Sequence, residues 1–430
     1  MRESLFFASG IDIFVLLTCS WLLFQHGKLS IYHPATTYLV FHTFAFSIRL
    51  IFLTCGSAFF LGGQIEYFTE IEAYEISKAA LLADLGFVSM TTAWLFESKR
   101  KLPLNPSKLV ILLDENALKL VLFITIPIGI WGIFSQLYIP GIGKAQIDFG
   151  SWSESSYLQN TQNFLTLSIL LIIFKYSFQK YTLIIFGLCL FILAFQGQHR
   201  YRVLVPCIFL LFLHLHRQQK RWLSPRFVMM ILLGIMVFLP MKYVGKLIQQ
   251  GASSEDLIEF ASEYRESLGI GANADFSFLD MYASTLTLID QKGGYYYGST
   301  YLNLFLIPIP RQFWQNKPSL VQWITDVSTP SRNLKELGAI PTIYGEAYVN
   351  FGVLGIIFIP FLFAKYSAKW YFKILNTHPQ SINLYLYLYF AAIIVQVYRD
   401  GLSSIVIFLS AYNLPGFFVY LFSILKQKRA

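Results

Sequence analysis

Long apolar segments recur along the whole chain of 430 residues. Most are about 18–25 residues long, enough for a helix to cross the hydrocarbon core of a bilayer. Barrel strands would be shorter and would alternate apolar with polar residues, so the pattern predicts an all-α polytopic membrane protein, with about eleven spans within a range of roughly 10–14. The predicted spans are approximately 5–25, 36–61, 76–96, 117–138, 158–174, 181–196, 201–216, 226–248, 343–364, 383–399 and 402–424.

The composition agrees with this class of protein. Hydrophobic residues make up 55% of the chain and charged residues 13%, a balance that does not fit a soluble domain of this length. The net charge of +9 is not a sign of nucleic-acid binding, because no basic-aromatic nucleic-acid motif accompanies it.

The distribution of charge predicts the orientation. With the N-terminus outside, one side of the membrane carries 17 Lys and Arg against three Asp and Glu, a net charge of +14. The other side carries 14 Lys and Arg against 19 Asp and Glu, a net charge of −5. The positive-inside rule makes the basic side cytoplasmic. In a bacterium, the segments 197–202, 249–342 and 398–401 would then face the periplasm.

One long polar interruption divides the chain into three segments. Spans 1–8 occupy 1–248, a large periplasmic loop occupies 249–342, and spans 9–11 occupy 343–430. Within the loop, 253–268 has apolar residues at helical spacing and predicts an amphipathic helix, and 276–290 predicts a second helix. A loop of this length in a compact protein is usually functional.

Several kinds of site have no counterpart in the sequence. The sequence contains no G-x-x-x-x-G-K-[ST] loop, no G-x-S-x-G elbow and no local His, Asp or Glu cluster with ligand spacing, so neither a metal nor another cofactor is expected. Two charged residues lie deep in predicted spans, Arg49 in the second and Asp84 in the third. Buried charges of this kind usually pair, and the simplest expectation is that these two pair with each other.

Cations on the predicted outer face are the main candidates for binding. Guanidinium groups bind phosphate oxygens at two points and stay charged when partly buried, so such a set suits a lipid-linked phosphate or diphosphate. Contact with lipid headgroups is the alternative for each of them. The cations are Arg200, Arg202, Arg311, Lys317, Arg332 and Arg399, and His199 lies beside the first two.

Glu346 is the best-placed outer carboxylate, at the mouth of the ninth span. It could act as a general base or bind a sugar hydroxyl, and capping of its helix is the alternative. Asp275, Asp280 and Asp400 are weaker candidates for the same role.

Two stretches resemble oligosaccharide repeat-unit polymerases of the Wzy (O-antigen polymerase) type. They are "GYYYGSTYLNLFLIPIPRQFWQNKPS" (294–319) and "GAIPTIYGEAYVNFGVLGIIF" (338–358), and "FQGQHRYRVLV" (195–205) is similar to the Gly/Arg segment of that family. The plan of many spans with one large periplasmic loop in the second half is also similar. The resemblance implies a fold of the helical membrane glycosyltransferase (GT-C-like) class.

The resemblance also implies a reaction at the periplasmic face of the bacterial inner membrane. A glycan on undecaprenyl diphosphate is transferred to a fresh lipid-linked repeat unit, without a metal. Arg311, Lys317, Arg200 and Arg202 would hold the diphosphate, Trp314 and Tyr295–Tyr297 would contact sugar rings, and Glu346 would accept the acceptor's proton. Partners would include the bilayer, a chain-length regulator and a flippase.

Two other functions stay open at this point. An O-antigen ligase would use the same donor chemistry on a different acceptor. A polysaccharide flippase or transporter would need cations at several depths, whereas here only Arg49 and Lys119 lie deeper than the predicted outer face.

Overall fold

A computed structural model describes much of the chain. The described residues are 2–55, 72–99, 111–134, 138–139, 143–144, 156–195, 201–229, 278–306, 309, 313–314, 322–327, 341–375 and 377–427. The predicted amphipathic helix at 253–268 lies outside them. The second predicted helix of that segment, at 276–290, is confirmed as a helix over Phe278–Lys292.

Helices dominate the described parts of the chain. Two short strands, β1 (Tyr138–Ile139) and β2 (Gly143–Lys144), pair antiparallel. The helices are α1 (Arg2–His26), α2 (Pro34–Cys55), α3 (Ala73–Lys99), α4 (Glu115–Phe134), α5 (Ser156–Tyr176), α6 (Lys180–Phe195), α7 (Tyr201–Arg217), α8 (Phe278–Lys292), α9 (Ser299–Leu302), α10 (Gln322–Val327), α11 (Thr342–Ile374), α12 (Ile382–Asp400), α13 (Ser403–Val406) and α14 (Leu414–Gln427).

The protein is a multi-pass membrane protein. Six helices among the described residues, α1, α2, α3, α4, α11 and α12, are long and apolar enough to cross a membrane. The number rises to seven if Ser403–Leu409 and Leu414–Gln427, bent by 75°, form one span. The predicted spans 158–174 and 181–196 correspond to the shorter apolar helices Thr161–Tyr176 and Lys180–Ala194. Most of the predicted eighth span lies outside the described residues, so the count of eleven stays a prediction.

The chain forms two compact units that are not contiguous in sequence. The first is drawn from Met1–Leu102, Ser267–Phe372 and Ile394–Val406. The second is drawn from Pro103–Glu266, Lys373–Ile393 and Ile407–Ala430. These units describe packing, whereas the three predicted segments describe position relative to a membrane, so the segment boundaries stay a prediction.

An aromatic cluster forms the core of the first unit. Tyr38 on α2 is fully buried, and its ring centroid lies 5.2 Å from that of Phe87, 5.8 Å from that of Trp94 and 4.9 Å from that of Tyr398. Its hydroxyl forms a hydrogen bond with the Tyr344 hydroxyl on α11. Aromatic pairs of this kind add to the free energy gained by burying the rings. The hydrogen bond gives each of the two buried hydroxyls a polar partner.

The expected pairing of Arg49 with Asp84 is wrong. Arg49 on α2 instead binds Asp280 on α8 at two points, with Nε 2.7 Å from Oδ2 and Nη2 2.9 Å from Oδ1. Asp280 lies in the segment that the sequence places in the large loop. Its carboxylate matches the planar guanidinium in a bidentate pair, and both side chains are buried in the first unit.

In the second unit, α4 packs closely on α5. Gly129 and Gly132 allow this approach, because a Cβ on Gly129 would overlap the backbone of Leu165. Thr125 and Ser168 share a hydrogen bond of 2.7 Å between their hydroxyls across the same contact. Small residues and hydroxyl pairs are the usual means of holding helices together in a membrane, where burial of apolar surface gives little.

Candidate functional site

A break in α11 organises the candidate site. Gly352 has φ 60° and ψ −145°, so the helix is interrupted there. This conformation is essentially restricted to glycine. A Cβ at this position would lie 2.7 Å from Cζ of Tyr295, so both the backbone angle and the neighbouring ring require glycine.

The break exposes backbone carbonyls, and a short tyrosine-rich segment binds them. We call residues 295–298 the tyrosine segment. The backbone N–H groups of Tyr296 and Tyr297 donate to the carbonyls of Val349 and Asn350, each at 3.0 Å. The Asn350 side chain accepts from the Gly298 N–H at 3.0 Å. Carbonyls at a helix end need such partners when buried, so the break and the tyrosine segment stabilise each other.

The tyrosine segment has an unusual backbone. Tyr297 and Gly298 both have positive φ, 47° and 85°. A left-handed conformation costs a residue other than glycine about 1–2 kcal/mol. Such conformations cluster where a structure must present particular side chains. The Tyr295 and Tyr297 rings are 38% and 75% exposed, so the segment presents aromatic faces at the surface.

Glu346 lies buried in the first part of α11, with 3% of its surface exposed. Its carboxylate accepts hydrogen bonds from the Leu402 N–H at 2.5 Å and from the Ser403 hydroxyl. Gly401 makes this contact possible, since it has φ 90° and a Cβ there would press on the Glu346 carboxylate. The carboxylate thus binds the turn after α12 and does not cap its own helix. A carboxylate has about four lone-pair sites, so capacity to accept a proton is left.

Arg399 lies at the end of α12, directly before this turn. Its guanidinium pairs with the adjacent Asp400, with Nε 2.7 Å from Oδ1 and Nη2 3.1 Å from Oδ2. The Arg399 side chain is 35% exposed, so it can still meet an anion from solvent. Of the residues predicted for the site, Glu346 and Arg399 are therefore brought to one turn.

Tyr296 takes part in a polar network at the surface. Its hydroxyl accepts from Lys292 Nζ at 2.5 Å and donates to Asp326 Oδ2 at 3.2 Å. The ammonium of Lys292 also lies 4.0 Å from the centroid of the Tyr296 ring. Partial burial raises the pKa of Tyr296, so the phenol stays protonated and acts as a hydrogen-bond donor.

Arg202 belongs to the second unit and is buried there. Its Nη1 donates to Oε1 of Gln162 at 2.8 Å. It lines a small cavity of about 20 Å³ together with Tyr201 and Tyr412, whose rings stack on each other. The Arg202 guanidinium is thus buried, whereas that of Arg399 is partly exposed.

The structure describes one of the remaining predicted site residues. This residue is Trp314, which is 40% exposed. His199, Arg200, Arg311, Lys317 and Arg332 lie outside the described residues, so their roles stay predictions.

Sequence reasoning missed the residues that hold the site together, above all Asn350, Gly401 and Ser403. The motif N-F-G at 350–352 contains a signal for a helix break, because asparagine and glycine both favour helix ends. Glycine is also common inside membrane helices, so the motif alone could not distinguish a helix break from a continuous helix.

A second cluster, elsewhere in the first unit, could hold a metal ion. Asp12, His42 and Asp84 come from α1, α2 and α3, and one ligand atom from each lies within 4.8 Å of the others. All three side chains are buried. The expectation that the chain holds no metal ligands rested on local spacing, whereas these three residues are far apart in the chain.

Comparisons with known proteins do not place this chain in a family. No protein-family model matches it, and it has no significant match among curated proteins or among solved structures. The chain is a multi-pass helical membrane protein whose candidate site is a broken helix bound by a tyrosine segment.

Proposed function

We propose that the protein is a membrane glycosyltransferase that polymerises undecaprenyl-diphosphate-linked oligosaccharide repeat units at the periplasmic face of a bacterial inner membrane. The proposal includes the full plan of about eleven spans and a fold of the GT-C-like class. Its support is the multi-pass helical architecture, the asymmetric charge of the two faces, and the resemblance of 294–319 and 338–358 to Wzy-type polymerases.

One observation carries the proposal. The two stretches that carry the resemblance are separated in the sequence, yet the tyrosine segment of the first binds the carbonyls of Val349 and Asn350 in the second. This contact between the two stretches supports an action of their residues on one substrate. The contact joins the exposed aromatic rings of the tyrosine segment to the helix that carries Glu346.

The reaction assigns a role to each group. The acceptor hydroxyl oxygen forms a bond to the anomeric carbon of the growing glycan, and the bond from that carbon to the lipid diphosphate breaks. Glu346 receives the hydroxyl proton, directly or through the Ser403 hydroxyl that donates to it. Arg311, Lys317 and Arg200 stabilise the departing diphosphate as its charge develops.

Contacts at the surface would position the substrates. Arg399, partly exposed beside the Glu346 turn, would bind diphosphate oxygens or sugar hydroxyls. Tyr296, with Lys292 and Asp326, offers donors and acceptors for sugar hydroxyls, and Trp314 offers a flat face. Holding two lipid-linked substrates together supplies much of the remaining acceleration. Arg202 is a weaker candidate, because its buried guanidinium already binds Gln162.

A transporter is the second candidate, favoured by the buried cluster of Asp12, His42 and Asp84, since ionisable groups inside membrane proteins often mark transport paths. The glycan profile of a deletion strain separates the functions. Loss of a polymerase leaves single repeat units on the lipid at the periplasmic face, loss of a flippase leaves none there, and loss of a ligase leaves long polymer on undecaprenyl diphosphate. Either of the last two profiles would refute the polymerase.

A further inference from the structure

Three buried side chains from three helices of the first unit converge on one point. Asp12 on α1 is 1% exposed, His42 on α2 is 0% exposed and Asp84 on α3 is 3% exposed. His42 Nε2 lies 3.2 Å from Asp12 Oδ1 and 3.4 Å from Asp84 Oδ1. An imidazole nitrogen and two carboxylates thus face one another in the interior.

Among the described residues, the two carboxylates of this cluster face a single basic side chain, the His42 imidazole, so at least one negative charge lacks a cation. Asp12 Oδ1 accepts from the Ser47 hydroxyl at 3.1 Å. Asp12 Oδ2 and both oxygens of Asp84 have no hydrogen-bond partner among the described residues. Within the same parts of the chain, no lysine or arginine pairs with either aspartate, and Arg49 is bound to Asp280. Buried carboxylates need a cation or a proton to offset their desolvation.

The separation of His42 Nε2 and Asp12 Oδ1 is that of a long hydrogen bond, and it also suits two ligand atoms of one metal ion. A charge-assisted hydrogen bond between imidazolium and carboxylate is about 2.7–2.9 Å long. A tetrahedral metal ion with bonds of about 2.0–2.1 Å keeps its ligand atoms about 3.3 Å apart. The separations of 3.2 and 3.4 Å from His42 Nε2 match the second value.

The surroundings of His42 fix its ring in a suitable orientation. Its Nδ1 lies 3.0 Å from the Tyr38 hydroxyl. Ligating histidines usually donate their other ring N–H to an oxygen, which leaves the lone pair of the ligating nitrogen free for the metal. A π-helical turn, Thr43–Ser47, begins directly after His42 and changes the local helix register. Such turns occur often at functional positions.

We propose that Asp12, His42 and Asp84 bind one divalent transition-metal cation, of the class of Zn²⁺ or Mn²⁺, that ties α1, α2 and α3 together. The donor set of one imidazole and two carboxylates suits these ions. All three ligands are buried, so a metal ion there would be structural and would speak against the use of this cluster as a transport path. The proposal does not depend on the proposed glycosyl transfer.

The first test measures metal in the full-length protein, purified in detergent with an affinity tag that contains no histidine. Elemental analysis should find about one transition-metal ion per chain. After removal of the metal by a chelator, titration with Co²⁺ alone should give visible d–d absorption that saturates at one equivalent and should raise the thermal midpoint. A metal-free protein that Co²⁺ neither colours nor stabilises would show that the cluster holds a proton instead, and would overturn the proposal.

The second test uses variants that keep side-chain shape. Asp84→Asn and Asp12→Asn should each weaken Co²⁺ binding at least tenfold, and Tyr38→Phe should weaken it about 10–100-fold through the orientation of His42. Glu97→Gln changes another buried carboxylate on α3 and serves as the matched control, which should bind Co²⁺ as the wild type does. Wild-type affinity in both aspartate variants would refute the site. If those variants fail to fold, the wild-type metal content and Co²⁺ titration decide.

Discussion

Arg49 and Asp280, 231 residues apart in the chain, form a buried two-point ion pair. Arg49 lies within a membrane-spanning helix, whereas Asp280 belongs to the segment that the sequence assigns to a periplasmic loop. The pair therefore fixes α8 against α2 within the first unit. A single charge left in this place would be costly, because both side chains are buried.

Breaking this pair should destabilise the protein strongly. Asp280→Ala should lower the free energy of unfolding by about 3–5 kcal/mol, since it leaves the guanidinium buried without a partner. The double variant Arg49→Met with Asp280→Leu should recover most of that loss. The measurement is the thermal midpoint of unfolding in detergent, with tryptophan fluorescence as the signal. The samples compared should be equally monodisperse. A double variant less stable than Asp280→Ala would contradict the interpretation.

Gly352→Ala should disturb the break in α11. Its backbone conformation would cost alanine about 1–3 kcal/mol, and the new methyl group would press on the Tyr295 ring. Adding Tyr295→Ala should relieve the contact and leave the backbone cost, so the double variant should recover only part of the stability and polymer formation. Gly294→Ala is the control, because a Cβ there meets no atom within 4 Å. Equal behaviour of the two glycine variants would argue against a required break.

Glu346→Gln separates a chemical role from a structural one. Glutamine keeps an oxygen for the Leu402 N–H, so the thermal midpoint should change little, but it does not accept a proton from the substrate. The rate of polymer formation should fall about 10²–10⁴-fold. Glu346→Ala should in addition lose about 1–3 kcal/mol of stability, since it leaves the partly buried Leu402 N–H without its acceptor. Normal polymer from Glu346→Gln at matched membrane levels would make the carboxylate purely structural.

Arg311→Lys tests the binding of the diphosphate. If Arg311 holds the departing group at two points, lysine should fail almost as badly as alanine, because it keeps the charge and loses the planar fork. The expected loss is about 3–4 kcal/mol, or about 100–1000-fold in rate. Polymer length on a gel is the readout, with Arg221→Lys on the basic face as the control. A normal ladder from Arg311→Lys would exclude this role and favour Arg200.

His33 should make the fold sensitive to acid. It lies between α1 and α2, fully buried against the Tyr371 ring, and burial lowers its pKa to about 3. The unfolded chain takes up this proton near pH 6.5, so stability should fall as the pH drops from about 6.5 towards 3, by up to about 1.4 kcal/mol per pH unit.

A variant of His33 isolates this effect. His33→Asn keeps an acceptor for the Ala35 N–H that the imidazole Nδ1 binds at 3.0 Å, and it cannot titrate. Its thermal midpoint should decline less steeply between pH 6.5 and 4 than that of the wild type. His214→Gln, at a half-exposed position, should follow the wild type. Parallel curves for the wild type and His33→Asn would show that His33 does not govern acid stability.

Hydropathy predicted the long helices well. The spans expected at 5–25 and 76–96 are α1 (Arg2–His26) and α3 (Ala73–Lys99), because a continuous apolar run of this length has few alternatives to a membrane helix. The second helix of the large polar segment was also predicted from its own residues, as α8. Each of these features is local in the sequence.

The pairings between helices could not be predicted in this way. Depth in the predicted spans indicated Asp84 as the partner of Arg49, and only the packing of α8 brings Asp280 to it instead. The contact of Glu346 with Leu402 and Ser403 likewise depends on where α12 ends in space. Charge and hydropathy indicate which buried residues need partners, and tertiary packing determines which residues those partners are.

The break at Gly352 also divides α11 into two parts with different surroundings. As one straight rod, the 33 residues of Thr342–Ile374 would extend about 50 Å, against a hydrocarbon core of about 30 Å. The part after Gly352 ends in a stretch with Lys365, Lys369 and Lys373, so its last turns can extend beyond that core. The part before Gly352 carries Glu346 and Asn350, both buried within the protein. The interruption therefore lets the first part turn its polar side chains inward independently of the direction in which the second part crosses the bilayer.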